Sequence, residues 1–223
     1  MSHSRVDAIS ADSAADLGGY FLTLDELSGP IDWTGFFGND RPVELEIGTG
    51  RGLFLMNAGQ QQPERNFLGI ELDYQEGRFA ARRLRKRELT NVRILGGNAR
   101  AALDKFIPNH SVSVVHVYFP DPWWKRRHRT RRIFNAAFVA ELARVLIPGG
   151  TLHAWTDVEE YFGVIQALVN GNANFQPQSP PAERPAAHDM DYHTNFERKK
   201  RKSGCPIYRG CWKSCQLSVV SCP

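Results

Sequence analysis

The sequence predicts an α/β fold with a parallel sheet. Short apolar segments, each about as long as a buried strand, alternate with longer segments whose apolar residues have helical spacing. Five such strands separated by helices imply parallel strands joined by right-handed crossovers. With 223 residues, of which 42% are hydrophobic, the chain is long enough to bury one substantial core. A single α/β domain is therefore expected.

The predicted elements follow one another in a regular order. The predicted strands are 43–47, 67–70, 92–95, 112–118 and 150–155, and the predicted helices are 52–60, 74–89, 99–106, 135–146 and 158–169. Residues 171–185 are rich in Asn, Gln and Pro, which predicts a loop, and 207–212 is predicted to be a late strand. Residues 1–32 are expected to be a partly disordered lead-in to a domain at 33–223.

The net charge of +4 conceals a strong segregation of charge. Three short runs, at 82–87, 125–132 and 198–202, contain 16 of the 28 Lys and Arg residues and no acidic residue, while the rest of the chain has 12 basic residues against 24 acidic ones. A solvated helix face would explain any one run. For 82–87, this explanation and a functional role are equally favoured. Three runs together favour a polyanionic partner such as nucleic acid.

The cysteines and the N-terminus exclude several classes of protein. All four cysteines, at 205, 211, 215 and 222, lie near the C-terminus and lack the C-x2-C spacing of a zinc site, so reduced thiols and no metal are expected. No stretch reaches the ~18–20 apolar residues of a membrane span, and residues 1–16 lack the apolar segment of a signal peptide. A cytoplasmic protein without a membrane partner is therefore expected.

A glycine-rich turn follows the first predicted strand. The segment ELEIGTGRG leads from an apolar strand through three glycines into a helix, and glycines there allow a tight turn and a close approach to a ligand. Glu71 ends the next predicted strand, where a carboxylate can accept hydrogen bonds from ribose hydroxyls. A plain turn would explain the glycines but not this acid, so the pattern predicts a nucleoside ligand.

The acid before the glycines indicates which nucleoside to expect. Dinucleotide folds use G-x-G-x-x-G, so that a helix N-terminus meets a pyrophosphate. Here Glu46 precedes G-x-G-x-G, and its charge would repel a pyrophosphate but suit an ammonium group. S-adenosylmethionine (SAM) carries an ammonium, a ribose and a sulfonium cation, which favours SAM as the cofactor. The expected cofactor-binding residues of this region are Glu46, Gly48, Gly50, Gly52 and Glu71.

The segment FPDPWWK follows the fourth predicted strand. In a doubly wound sheet this strand lies beside the first, where strand order reverses and ligands bind, so Asp121 would face the cofactor cleft. Prolines on both sides of Asp121 restrict the backbone and hold the carboxylate in place. From the PDP tripeptide alone, an ordinary proline-bounded turn is the better explanation, but the strand order favours a catalytic position.

Basic and aromatic residues continue from Asp121. The run at 125–132 would supply phosphate contacts, which give salt-dependent affinity rather than sequence reading. Trp123 and Trp124 could stack on an extruded base, and core packing explains them equally well. Asp157, at the end of the fifth predicted strand, fits both an N-cap of the next helix and an acceptor for the N1–H and N2–H groups of guanine. The sequence does not separate these two roles.

Taken together in this order, ELEIGTGRG, FLGIELD, YFPDPWWKRRHRTRR, GGTLHAWTD and HTNFE resemble the bacterial tRNA (guanine-N7-)-methyltransferase family. The resemblance covers residues 33–212, and PDPWxK followed by basic residues is far more specific than the glycine turn. It implies a Rossmann-like class I SAM-dependent methyltransferase fold, with helices on both faces of a seven-stranded, mostly parallel sheet that has one antiparallel late strand. It also implies methylation of guanine N7 in the variable loop of tRNA, giving 7-methylguanosine.

The resemblance also implies roles for single residues. Glu46 and Glu71 resemble SAM contacts, and Asn98 stands where the family often has an Asp beside the adenine, which keeps a carbonyl acceptor but loses the charge. Asp121 resembles the residue that is catalytic and contacts the cofactor. The residues that resemble substrate contacts are Lys125, Asp157, Thr194, Asn195, Phe196 and Glu197, with an RNA-contact segment that includes Arg127, Arg129, Arg131 and Arg132.

The chemistry of guanine N7 sets what the protein must do. The nitrogen carries an in-plane lone pair, so no base has to remove a proton before it attacks the methyl group, and catalysis should depend on alignment and fixed charge. Three other interpretations stay open: a SAM enzyme for small molecules, a dinucleotide oxidoreductase, and an RNA-binding protein without catalysis. The basic runs disfavour the first, Glu46 the second, and the retained Glu46, Glu71 and Asp121 the third. A monomer or homodimer that binds tRNA is expected.

Overall fold

A single sheet of eight strands forms the centre of the molecule. The computed structural model describes residues 17–182, 186–188 and 192–215. The strands are β1 (Phe21–Thr23), β2 (Val43–Ile47), β3 (Asn66–Glu71), β4 (Val92–Gly96), β5 (Val112–Tyr118), β6 (Leu146–Thr156), β7 (Phe175–Gln178) and β8 (Tyr208–Ser214). Their order across the sheet is β1-β4-β3-β2-β5-β6-β8-β7.

Helices cover both faces of the sheet and create a hydrophobic cluster on each. Leu103, Phe138 and Ile165 belong to one cluster, and Leu53 and Leu84 belong to the other. The helices are α1 (Trp33–Phe37), α2 (Leu53–Gln61), α3 (Tyr74–Lys86), α4 (Ala99–Phe106), α5 (Ala136–Val145), α6 (Glu159–Asn170) and α7 (Asn195–Lys202). The α/β prediction is confirmed.

The strand order brings the candidate residues to one edge of the sheet. β2 pairs in parallel with both β3 and β5, so the first and fourth predicted strands are neighbours, as expected. Their carboxyl ends carry the glycine turn and the PDP segment, respectively. β8 is antiparallel to β6 and to β7, which confirms one antiparallel late strand in a mostly parallel sheet.

The strand count is eight rather than seven because part of the predicted lead-in belongs to the sheet. β1 pairs in parallel with β4, and Leu17, Phe21 and Ile31 are buried. The expected domain boundary at residue 33 is therefore too late for residues 17–32. The expectation for residues 1–16 falls outside the described residues. A strand of three residues gives no period-2 pattern, which is why the sequence did not indicate it.

Two further expectations for the second half of the chain are wrong in part. The predicted loop 171–185 contains β7, whose four residues include Pro177 at the sheet edge, where a missing N–H is tolerated. β6 begins at Leu146 rather than at 150, because the Pro-Gly-Gly segment that looked like a turn is an irregular part of the strand. The predicted strand at 207–212 corresponds to β8.

Two properties bear on the expected class of protein. Among the described residues, no helix is long and apolar enough to cross a membrane. Cys205, Cys211 and Cys215 are free thiols, and Cys222 lies outside the described residues.

Candidate active site

The three glycines of the turn after β2 have different tasks. All three have left-handed backbone angles, with φ of 79° at Gly48, 51° at Gly50 and 67° at Gly52. A Cβ at Gly48 or Gly50 would meet no atom within 4 Å, whereas a Cβ at Gly52 would lie 2.8 Å from the Cβ of Ala80. Gly48 and Gly50 therefore keep space open beside the turn. Gly52, predicted to contact the cofactor, is buried and lets α2 pack closely against α3 instead.

Glu46 is a buried carboxylate without a cationic partner among the described residues. It is 2% exposed, and its Oε2 accepts a hydrogen bond from the hydroxyl of Thr49. Burial raises the pKa of Glu46 to about 8; the hydrogen bond from Thr49 opposes this rise and repulsion by Glu71 adds to it. A ligand cation placed here would be strongly favoured, because it would compensate a charge that the protein itself leaves uncompensated.

Glu71 lies at the end of β3, and Asn98 follows the end of the neighbouring strand β4. The Glu71 carboxylate accepts hydrogen bonds from the backbone N–H of Gly50 (2.6 Å) and of Asp73 (2.9 Å), so it ties the glycine turn to β3. Asn98 is exposed and is the N-cap of α4, where its Oδ1 accepts from the N–H groups of the next turn. Because this oxygen already serves the cap, the amide N–H2 is the group that Asn98 offers most readily to a ligand.

A cleft of about 730 Å³ opens beside Glu46 and the glycine turn. One wall comes from the turn itself, a second from Tyr118 and Phe119 at the end of β5, and a third from residues 194–196 at the start of α7. Glu46 and the predicted substrate segment therefore share one cavity. The remaining lining residues are Arg51, Leu53, Phe54, Glu76, Phe79, Arg83, Arg198 and Lys199.

Asp121 lines a second pocket, of about 420 Å³, together with residues 122–125 and 128. Two residues earlier, Phe119 lines the larger cleft, so the two cavities have walls that are close in sequence. Asp121 itself, predicted to contact the cofactor, is not among the residues that line the larger cleft. Phe119 and Trp123 have positive φ of 50° and 43°, which is uncommon for residues with a side chain and concentrates backbone strain on both sides of Asp121. Such strain is typical of segments that hold a functional group in a fixed place.

The basic run after Asp121 forms a 3-10 helix, Arg126–Arg131. Lys125 is exposed, Arg127 donates to His128 (3.3 Å), Arg129 pairs with Glu160 (3.2 Å), and the guanidinium of Arg131 lies 5.0 Å from the centre of the Trp123 ring. Trp124 is 64% exposed and is therefore not a core residue. This face of the molecule is thus basic, aromatic and accessible.

Arg132 differs from the rest of the run. It is 6% exposed, its Nε donates to the carbonyl oxygen of Pro122 (2.7 Å), and its guanidinium pairs with Glu160 (3.4 Å). The ring of Tyr161 lies 4.6 Å from the same guanidinium. The prediction that Arg132 contacts RNA is therefore wrong: the side chain points into the protein and holds the PDP segment.

Asp157 is not the N-cap of α6. That position belongs to Val158, whose N–H donates to the hydroxyl of Thr156 (3.2 Å). The carboxylate of Asp157 instead pairs with the ammonium of Lys200 on α7 (2.8 Å). The capping interpretation is wrong, and Asp157 lies where the strand end meets α7.

The segment Thr194 to Glu197 begins α7, which contains the predicted basic run at 198–202. Thr194 is the N-cap and accepts from the N–H of Glu197 (2.9 Å), while Asn195 and the 46% exposed Phe196 line the cleft. Glu197 is 1% exposed and accepts from the N–H of His193 (2.6 Å). It cannot contact a base directly from this position, so its predicted substrate contact is replaced by a role inside the protein.

The comparisons with known proteins agree with this arrangement. Residues 40–210 match the profile of a family described as putative methyltransferases. A relative from Rhodopirellula baltica, named tRNA (guanine-N(7)-)-methyltransferase, is 42% identical over 90% of this chain and 76% of its own length. A relative of the same name from Geobacter metallireducens is 39% identical over 85% of this chain and 90% of its own length. The chain belongs to this methyltransferase family.

Solved structures of methyltransferases have a fold similar to that of this chain. The 16S rRNA methyltransferase KamB matches with a TM-score of 0.57 at 16% identity, over 78% of this chain and 87% of its own. A 30S ribosomal A1408 methyltransferase from an uncultured bacterium matches with a TM-score of 0.54 at 15% identity, over 81% of this chain and 91% of its own. At these identities the likeness concerns the fold alone, which is the predicted class I methyltransferase fold.

Sequence reasoning missed His116, which lies in none of the quoted motifs, and the roles of Glu44 and Tyr118 beside it. Behind the cleft, His116 accepts or donates through both ring nitrogens, to Glu44 (2.8 Å) and to the hydroxyl of Tyr118 (2.8 Å). Because Tyr118 lines the cleft, these buried hydrogen bonds hold one wall of the cleft in place. The signal was present in the alternation of polar residues along β2 and β5, which places Glu44, Glu46, His116 and Tyr118 on one face of the sheet.

Proposed function

We propose that this protein transfers the methyl group of SAM to N7 of a guanine in the variable loop of tRNA. The observation that carries the proposal is the buried Glu46 carboxylate, which has no cationic partner among the described residues and lines one cleft with Asn195 and Phe196. Membership of the family supports this reaction, and the lining of the cleft supports a site for it beside Glu46. A small-molecule methyltransferase would have no use for the basic segments that border the cleft.

The residues at the strand ends fit SAM. Glu46 is suited to hold the ammonium of its methionine part, Gly48 and Gly50 leave room for it, and Glu71 keeps lone pairs for ribose hydroxyls. Asn98 would contact the adenine through its amide group. When bound, SAM supplies an electrophilic methyl group on a sulfonium.

Asp121 is the residue that we assign to the reaction itself. Asp121 is exposed and lines the smaller pocket, two residues after Phe119 of the larger cleft, on a backbone held by Arg132 and by the strain at Phe119 and Trp123. There it stabilises the positive charge that develops on the imidazole ring of guanine as N7 is methylated. Since N7 has no proton to lose, the protein needs no general base, and alignment of the lone pair with the methyl group is the main requirement.

Asp157 and the start of α7 are assigned to the guanine base. The carboxylate of Asp157 can accept from N1–H and N2–H once Lys200 moves to a phosphate, and Asn195 and Phe196, on the same helix as Lys200, line the cleft. Lys125, Arg127, Arg129 and Arg131 would contact the RNA backbone. The proposal includes a cytoplasmic location, where the tRNA substrate is found, and a monomer or homodimer.

A methylation assay tests the proposal. We expect labelled SAM and unmodified tRNA to give 7-methylguanosine, mapped to the variable loop after nuclease digestion. Asp121→Asn should lower kcat about 100-fold with little change in SAM affinity, and Asp104→Asn, an exposed carboxylate on α4, is the matched control. Label in another nucleoside, or an Asp121→Asn variant as active as the control, would contradict the proposed reaction or the assigned role, respectively.

A further inference from the structure

Phe79 of α3 is a large, partly exposed aromatic residue outside the buried face of its helix. α3 buries one face through Gly77, Ala80, Ala81 and Leu84, and Phe79 lies outside that face. Its side chain is 42% exposed and lines the same cleft as Glu46. A large exposed aromatic ring in a cleft is typical of a binding surface.

Two arginines are fixed against this ring. The guanidinium of Arg51 lies 5.1 Å from the ring centre of Phe79, and that of Arg83 lies 5.9 Å from it. Arg51 is held by two hydrogen bonds to Glu76 (2.8 and 3.2 Å), and Arg83 donates to the carbonyl oxygen of Arg51 (2.8 Å). The two cations and the ring therefore form a preorganised group, which we call the α3 subsite: Arg51, Phe79 and Arg83.

The wall of the cleft that α7 forms is also basic and aromatic. Arg198 and Lys199 of α7 line it next to Phe196, whose ring centre lies 5.3 Å from the ammonium of Lys200. Burial, followed by repulsion from Arg87, Arg198 and Arg51, lowers the pKa of Arg83. Positive charges from separate elements thus converge on one rim, and an anion between them would relieve their repulsion.

We propose that the α3 subsite binds an unpaired nucleotide of the tRNA next to the target guanosine, with its base stacked on Phe79 and its phosphate between Arg83 and Arg198. Proteins that hold single-stranded RNA combine aromatic platforms with a positively charged groove in this way. The inference rests on the proposed function, since it names a second contact of the same RNA. It gives the basic run at 82–87 a function through Arg83, which faces the cleft.

Four variants and three RNAs test the subsite. Phe79→Ala removes the ring, Phe79→Leu keeps an apolar side chain without a flat face, and Arg83→Gln removes one cation. Arg85→Gln is the matched control, because it removes the same charge from the solvent side of the same helix and lines no part of the cleft. Each protein is titrated with unmodified tRNA at two salt concentrations, and with tRNAs that carry an abasic nucleotide directly before or after the methylated guanosine.

We expect both Phe79 variants to weaken tRNA binding about tenfold relative to wild type, with the Kd for SAM unchanged in calorimetry. Arg83→Gln should weaken tRNA binding and reduce the salt slope by about one, unlike Arg85→Gln. On one of the two abasic tRNAs, the Phe79→Ala effect should vanish, because the base that it stacks on is absent. Thermal melting of each variant shows that it is folded.

Several outcomes would overturn the inference. Phe79→Leu that binds tRNA like wild type would exclude stacking, and Arg83→Gln that matches Arg85→Gln would exclude a phosphate contact. A change in SAM affinity with unchanged tRNA affinity would assign these residues to the cofactor instead. Wild type that makes 7-methylguanosine while the variants bind tRNA normally refutes the subsite alone. Wild type that makes no 7-methylguanosine refutes the proposed function, whatever the variants do.

Discussion

Two buried glutamates of this site, Glu46 and Glu197, have opposite electrostatic surroundings. Both are almost fully buried, at 2% and 1% exposure. Within the described part of the chain, the Thr49 hydroxyl is the hydrogen-bond partner of Glu46, and burial raises the pKa of Glu46 to about 8. For Glu197, burial acts in the same direction, but hydrogen bonds from His193 and the charge of Arg201 outweigh it, so that its pKa is lowered.

The difference distinguishes a carboxylate that is suited to bind a ligand from one that stabilises the fold. Glu197 has its compensating charges within the protein, with Arg201 at 3.4 Å and Arg209 at 4.0 Å, so it anchors the start of α7 to β8. Glu46 opens onto the cleft and has no such charge beside it in the part of the chain that the structure describes, so a cationic ligand would compensate it. Above its ordinary pKa of 4.5, Glu197 contributes stability that is lost as pH falls through its lowered pKa. Glu46 has the reverse effect, because stability decreases as pH rises from 4.5 to about 8.

The largest expected effect is the loss of stability when Glu197, the compensated acid, is removed. Glu197→Ala leaves Arg201 and Arg209 without this carboxylate, and loss of one partner of a buried ion pair costs about 3–5 kcal/mol. We expect a loss of this order in the free energy of unfolding, measured with urea at pH 7.

Glu197→Gln serves as the control for this variant. It keeps an acceptor for the N–H of His193 and should lose less stability than the alanine variant. If Glu197→Ala stayed within about 1 kcal/mol of wild type, Glu197 would be no anchor, and a direct substrate contact would again be open.

The glycine turn could be predicted closely because several local signals agree there. β2 has the predicted bounds, and the turn needs glycines for φ angles that other residues rarely adopt. The adjacency of β2 and β5 followed from strand order alone, which brought the Glu46 and Asp121 segments to one edge. Regular crossover topology makes such long-range contacts predictable without side-chain detail.

The direction of single side chains could not be predicted in the same way. Glu197 and Arg132 belong to recognisable motifs, yet both point inward, because partners from other elements, Arg209 and Glu160, complete their surroundings. Gly52 packs against Ala80 on another helix. Short edge strands such as β1 and β7 also escaped notice, since their stability comes from pairing with a neighbour rather than from their own pattern.

A somewhat smaller effect, on SAM affinity, is expected when Glu46, the uncompensated acid, is neutralised. Glu46→Gln keeps an acceptor for Thr49 but removes the charge offered to the SAM ammonium, so SAM affinity should fall about 30- to 100-fold, or about 2–3 kcal/mol. The same variant should be more stable than wild type at pH 8.5, by on the order of 2 kcal/mol, since no buried charge has to form.

The gain in stability should shrink as pH falls and vanish below pH 4.5, where wild-type Glu46 becomes protonated in the unfolded state as well as in the folded one. Calorimetry and thermal melting measure the two effects on one preparation. A variant that loses stability at pH 8.5 and keeps SAM affinity would mean that Glu46 is an anchor like Glu197, and the contrast between them would fail.

The smallest expected effect, and the most specific, is the dependence of SAM affinity on pH. If the ammonium of SAM requires the ionised form of Glu46, binding below the pKa of about 8 must release a proton. The Kd for SAM should therefore decrease about tenfold per pH unit between pH 6 and 7, approximately 1.4 kcal/mol per unit, and level off above pH 8. The binding enthalpy should depend on the ionisation enthalpy of the buffer at pH 6.5, with about one proton released. Glu46→Gln should lose both dependences. A wild-type Kd that is constant from pH 6 to 8 would place the ammonium elsewhere and leave the buried proton on Glu46 without a role in binding.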